Sequence, residues 1–202
     1  MTLTHELLRD GSEVSRDEKS GAVLAEILVG KRDGPVAILA SFISPWPIAT
    51  GTVFDVECRN AQTGDGAFLA VTGSTKGKSL KDLPDSFFLD ELFQPTGRFS
   101  FYGQPTDIKV KKSYSEGNQR FIELSFSNLS QSTQTEIPRN AIISATIPQG
   151  TENVVMLVGS ASAPHWRKGA QDAVRRTVNS FRAVPAPKSS MKVRPKDRSA
   201  SL

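Results

Sequence analysis

Most apolar residues of this chain alternate with polar ones, or run together in short blocks, between clusters of turn-forming residues, the pattern of strands. Residues 23–29 and 36–43 are apolar runs rich in β-branched side chains. Between them lies Gly30-Lys31-Arg32-Asp33-Gly34, so they read as two strands joined by a compact turn. The second strand must break at Ser44-Pro45-Trp46-Pro47, because each proline lacks an N–H and restricts the residue before it, which sets Trp46 on an ordered corner. Segments 52–58 and 67–72 predict two further strands around Gly64-Asp65-Gly66, whose Asp-Gly pair favours a hairpin turn. Beyond a Pro/Gly-containing stretch, 108–112, 120–129, 137–147 and 154–160 predict a meander of long strands.

Two segments carry a helical period instead. In 85–93, Phe88, Leu89, Leu92 and Phe93 form one buried stripe, with Asp85 in position to cap the first turn. Nearer the C-terminus, Trp166, Ala170, Ala173, Val174, Val178 and Phe181 recur at helical spacing, and Pro164 suits an opening turn. The opposite side of that helix bears Arg167, Lys168, Arg175, Arg176 and Arg182, and Pro185-Ala186-Pro187 stops it after Val184. Trp166 opens the apolar stripe, so its ring is expected to seal the helix to the sheet, while Gly169 and Phe181 belong to the same structural set as Trp46. Strands in the middle with helices to cover them predict an α+β domain, a central, mostly antiparallel sheet flanked by helices.

The ends differ from the middle. Residues 1–20 are polar and charged without a clear period and read as a flexible arm; 21–184 form the domain; 185–202 form a Lys/Arg/Ser-rich tail that buries too little apolar surface to order itself. At 202 residues and 38% hydrophobic content, one compact domain is the default. The net charge of +4 conceals an asymmetry: from Pro164 onward ten Lys or Arg stand against Asp172 and Asp197. That cationic end suggests an acidic partner surface, an anionic membrane surface or nucleic acid, with attraction that weakens as salt rises; a merely solvated tail is the plainer alternative. The partner-facing candidates are Arg167, Lys168, Arg175, Arg176, Arg182, Lys188, Lys192, Arg194, Lys196 and Arg198.

Catalytic and cofactor signals are sparse. Gly73-Ser74-Thr75-Lys76-Gly77-Lys78-Ser79 follows a strand and precedes a helix, as a phosphate loop does, but three residues part its glycines where that loop needs four. His5 and His165 are the only histidines, in the arm and at a helix start; Ser162 lies near His165, with no orienting carboxylate identifiable. Asp82, Asp85, Asp90 and Glu91 cluster around the first helix without calcium-loop spacing, and capping explains them. The aromatic residues fall mostly within apolar stripes rather than beside basic clusters, which argues against nucleic acid. Cys58 is the single cysteine, which excludes an intrachain disulfide. With no apolar run long enough to span a bilayer and no signal segment near Met1, the chain reads as cytosolic or as lacking its presequence.

The C-terminal block carries a resemblance. Val154-Val155-Met156-Leu157-Val158, then Gly159 through Pro164, then His165-Trp166-Arg167-Lys168-Gly169-Ala170 and finally Ser180-Phe181 resemble the PsbP family's strand, short turn, and Trp-x-Lys-Gly helix ending in Ser-Phe. The Trp46-Pro47 corner, the strand at 121–129 and Ala141-Ile142-Ile143-Ser144-Ala145-Thr146 extend the likeness over 36–184. The resemblance implies an α/β/α sandwich in the chloroplast thylakoid lumen. It implies a non-catalytic extrinsic protein, peripheral on the membrane, that stabilises, assembles or repairs a photosystem or related complex. Photosystem II leads, with photosystem I and the thylakoid NDH complex as other hosts. No tightly bound cofactor and no small-molecule substrate are implied; family members help retain calcium and chloride indirectly. The arm does not match the ion-retaining arm of the oxygen-evolution subunit and the basic tail is an extension, so an accessory or assembly paralogue is the expectation. The alternative is a cytosolic or nuclear binding protein of the same fold, as in its Ran-binding relative.

Overall fold

The computed structural model describes residues 3–7, 13–31, 33–49 and 56–187. Its strands pair antiparallel in two sheets. The larger has six strands: β5 (Glu57–Arg59), β6 (Gly66–Ser74), β10 (Asn153–Ser162), β9 (Glu136–Thr146), β8 (Gln119–Leu129) and β7 (Thr106–Glu116), side by side in that order. The smaller has five: β1 (Leu3–Leu7), β2 (Glu13–Asp17), β3 (Ala22–Val29), β4 (Val36–Ile43) and β11 (Arg182–Pro185). The helices are α1 (Asp85–Leu92), α2 (Ala163–His165) and α3 (Gln171–Asn179), with a π-type turn, Trp166–Ala170, between the last two.

Strand β10 shows why the body has layers. Its apolar run is buried on both faces, as a strand between two cores requires. Val155 and Leu157 point into one core, shared with Val174 and Val178 of α3 and with Val23, Ile38 and Phe42 of the smaller sheet. Val154, Met156 and Val158 point into the other, shared with Phe88 and Leu92 of α1. The six-stranded sheet therefore has α1 on one face and α3, backed by the smaller sheet, on the other: an antiparallel α+β sandwich. Arg120 of β8 holds α1 in place, donating to the carbonyls of Leu80 and Leu83 and to Asp85 Oδ1 at 2.7 Å. Asp85 thus serves this ion pair from the first turn, and Pro84, not Asp85, occupies the capping position.

Sequence and structure part at both ends of the chain. Residues 3–7 and 13–17, placed by the sequence in a flexible arm, are strands β1 and β2, and Val14 is fully buried. The terminal helix closes at Asn179, not at Val184, and Arg182–Pro185 crosses to pair with β4. Ser180 makes this junction: its Oγ accepts the N–H of Ile43 at 2.8 Å and donates to the Thr177 carbonyl at 2.6 Å. Phe181 is fully buried at the hinge, so it lies on the helical stripe in sequence while belonging to the turn that leaves the helix. Arg182 consequently sits on a strand rather than on the helix face. Gly169 has φ of +116°, a conformation costly for any side-chain-bearing residue, and it kinks the chain inside the π-type turn that leads into α3. Trp46 is buried on its corner, where Ser44 Oγ accepts its N–H and donates to its carbonyl. Trp166 is half-buried and packs at the rim of the same core, so it borders the helix–sheet contact more than it seals it.

The contact of α3 with β10 runs over Gly159. A Cβ there would stand 2.8 Å from Val174 Cγ1 and 3.2 Å from Val178 Cγ1, so the helix or its side chains would have to shift. Gly159→Ala is therefore expected to cost about 1–3 kcal/mol in urea unfolding. Val174→Ala in the same chain should recover part of the loss; strict additivity of the two changes would contradict this packing. Cys58 supplies a second test. Burial pushes its thiol up to about 11 from 9.0, against a smaller opposing effect of the Ser44 hydroxyl. The native state holds this proton after the unfolded chain has released it, so stability from this group is complete below pH 9 and falls as pH rises towards about 11. The loss is on the order of 2–3 kcal/mol, and Cys58→Ala should show a shallower decline between those pH values.

Candidate docking surface

Helix α3 buries Val174, Thr177 and Val178, which turns Asp172, Arg176 and Asn179 to solvent. Arg175 and Arg176, adjacent in sequence, lie about 100° apart around the helix and leave it on opposite flanks. On the first flank Arg175 Nη2 lies 2.6 Å from Glu123 Oε1 of β8. Glu123 is paired across the ladder with Lys112 of β7, whose Nζ stands 4.9 Å from the Tyr114 ring centroid. Tyr114 stacks on Phe121 at 5.3 Å, and its hydroxyl is shifted up by burial and by the Glu123 charge, with Arg175 opposing. Strand β7 is an edge strand, exposed along nearly all of its length. Its lysines do what charges on an edge do, discouraging another strand from pairing there. Lys111 donates to Asn140 Oδ1 at 3.3 Å and Lys109 pairs with Asp107 at 3.1 Å.

The second flank is a groove of about 600 Å³ between α3, the end of β4 and the turn that follows β2. Arg16, Lys19 and Arg176 line it, with Glu18 the acidic residue at its wall. Arg16 is structural as well as cationic: its Nη2 and Nε donate to the Ser44 carbonyl at 2.9 and 3.3 Å. The turn carrying Lys19 is ordered by Asp17, which accepts from Ser20 Oγ at 2.7 Å and from the Lys19 N–H at 3.2 Å. Those bonds, Ser20's first, hold the Asp17 carboxyl below its ordinary range. Arg176 is exposed and has no ion-pair partner among the described residues. Thr177 Oγ1, buried at the groove wall, has no hydrogen-bond partner among the described residues.

The remaining candidates scatter. Arg167 and Lys168 are exposed on the π-type turn before Gly169. Arg182 is exposed on β11, tied to the carbonyls of Phe181 and Asn179 at 2.6 and 3.0 Å and to Gln119 at 3.3 Å. Lys188, Lys192, Arg194, Lys196 and Arg198 lie outside the described residues. One cationic helix face, as read from the sequence, is thus two flanks. The groove residues Arg16 and Lys19 were missed because their segment has no long apolar run; the alternation of buried Val14 with its polar neighbours was the available signal.

His165 has the carboxylate that the sequence did not reveal, since Asp65 Oδ1 of the β5–β6 hairpin lies 3.2 Å from its Nδ1. Among the described residues no hydrogen bond joins His165 to Ser162. Asp82 accepts from Ser79 at 2.6 Å, Asp85 holds Arg120 and Ser113, and Glu91, raised by burial, accepts from Gln94. Among the described residues, no cluster of three or more His, Cys, Asp or Glu is placed to hold a metal, and no helix is long and apolar enough to cross a membrane. No protein-family model matches the sequence, and no curated protein matches it.

Proposed function

We propose that this protein is a non-catalytic docking subunit or assembly factor of the PsbP type, seated on the lumenal side of a photosynthetic membrane complex, photosystem II first among them. The observation that carries the reading is the groove beside α3, where Arg16, Lys19 and an Arg176 without an ion-pair partner among the described residues converge from opposite ends of the chain. Cations held on a rigid body at the edge of a groove favour an acidic protein surface, which would supply the counter-charges without the entropy cost of ordering a loose tail. The β7 lysines and Arg175 widen the positive surface on the other flank, and Arg167 and Lys168 stand at its end. The residues that resemble the PsbP signature run from β10 through α2 and the π-type turn and resume after α3 at the Ser180-Phe181 junction, where Ser180 lines the groove.

Attraction of this kind is screened over about 10 Å at 0.1 M salt. The purified protein should bind salt-washed thylakoid membranes at low ionic strength and be released by concentrated salt without detergent. The pair Lys19→Glu and Arg176→Glu should weaken that binding about tenfold or more. The fold should stay within roughly 0.5 kcal/mol of the parent, since both side chains are on the surface. Retention through the salt wash, or unchanged binding by the double variant, would reject this docking mode; equal binding to protein-free vesicles of thylakoid lipid would move the partner from protein to membrane.

A further inference from the structure

Strands β3 and β4 are apolar on both faces, the composition of strands that lie between two layers, as β10 does. Only one of those faces is covered among the described residues. Val23, Ile27, Ile38 and Phe42 point into the core beneath α3. The alternate positions, Leu24 and Leu28 on β3 with Leu39 and Ile43 on β4, point away from it. Val184 of β11 stands beside Leu39 on the same outward face. Leu24 is 48% exposed, Ile43 53% and Val184 51%, and among the described residues no element packs over them. An apolar patch that runs across three adjacent strands marks an interaction surface, unlike apolar residues scattered singly.

The face is complementary to itself. In the β3–β4 register a large outward side chain stands beside a small one: Ile43 opposite Ala22, Leu24 opposite Ser41 and Leu28 opposite Ala37. Rotating a second copy by half a turn about an axis parallel to the strands lays β3 of one copy over β4 of the other, so each of these large residues meets a small one. The fourth pair, Glu26 with Leu39, brings a half-buried carboxylate to the seam. The same rotation carries Arg182 of β11 over Ser15 of β2, two residues from the exposed Glu13 and one strand from Glu26, so charges of opposite sign meet at the margins. From ordinary strand spacing and rise, β2, β3, β4 and β11 present a face of roughly 19 by 26 Å, about 1,000 Å² for two copies, which reaches the size of a specific interface. The chain segments next to this sheet have little to cover it with: 8–12 contains Leu8, and 188–202 contains Met191, Val193 and Leu202 as its large apolar residues.

We propose that the outward face of the five-stranded sheet is the seat of a second copy of this chain. The two sheets pack face to face about 10 Å apart, their strands aligned within about 30°, with β2 of each copy against β11 of the other. Leu24, Leu28, Leu39 and Val184 form the dry centre of the contact, and Glu13 and Arg182 flank it. The face looks away from α3 and shares only Ile43 with the groove there, so it stands or falls apart from the docking reading.

Analytical ultracentrifugation of the whole chain tests the assignment. The parent should sediment as a dimer that dissociates on dilution through the micromolar range. Leu24→Lys together with Val184→Lys, both at exposed positions, should raise the dissociation constant on the order of a hundredfold, because like charges would be pressed together in the seam. The urea midpoint of that variant should match the parent's when both are dilute enough to be monomeric, which separates a lost contact from a lost fold. Glu13→Lys, at the margin opposite Arg182, should raise the dissociation constant about tenfold. A parent that stays monomeric through the micromolar range, a dimer that survives the Leu24→Lys and Val184→Lys changes, or one indifferent to Glu13→Lys would overturn the assignment. So would binding of the monomer to neutral phosphatidylcholine vesicles that the double variant loses, which would make a lipid surface the occupant.

Discussion

Close approach of one helix to one strand governs this molecule. Because β10 has no side chain at Gly159, Val174 and Val178 settle directly on the sheet, and the helix they belong to stays near enough for its end to reach the other sheet through Ser180. A larger residue at that one position would lift α3 and loosen the core it shares with Val23, Ile38 and Phe42. The smaller sheet is thus fastened to the larger through a helix both of them use, and the groove beside that helix exists because the two sheets meet there.

Polar groups follow the same layering. Arg120 and Arg139 both enter the α1 side of the six-stranded sheet, yet they differ in how completely they are served. Arg120 meets two carbonyls and a carboxylate and acts as a clasp for α1. Arg139, lowered to about 10 chiefly by burial and partly restored by the Asp65 charge, still carries its proton at neutral pH with one donor unmet among the described residues. The Arg120 network holds α1 to the sheet, and the less complete one of Arg139 sits at an opening. The α3 side has no buried arginine of this kind among the described residues; its cations are at the rim.

Much of the strand pattern was legible in the sequence, because half-buried and fully buried strands write different signatures. The 23–29 and 36–43 runs, the Asp-Gly hairpin and the meander from β7 to β10 came from alternation and turn chemistry alone. What escaped has a physical cause in each case. Phe181 keeps helical register with Val174 and Val178 although the chain has already turned, so periodicity could not separate helix from hinge. Strands β1 and β2 are short and mostly polar, and although each pairs with its neighbour in sequence, too few apolar positions mark them for alternation to show. The docking candidates fared likewise: Arg175 and Arg176 were read as one face, but a carboxylate on β8 captures the first and leaves the second to the groove.

The five-stranded sheet draws four strands from the beginning of the chain and its last from residues 182–185. During synthesis the early hairpins therefore emerge from the ribosome long before the segment that covers β4 has been made, and they must wait through more than a hundred residues with that border bare. Such a nascent chain is a natural client for chaperones until its final described strand arrives.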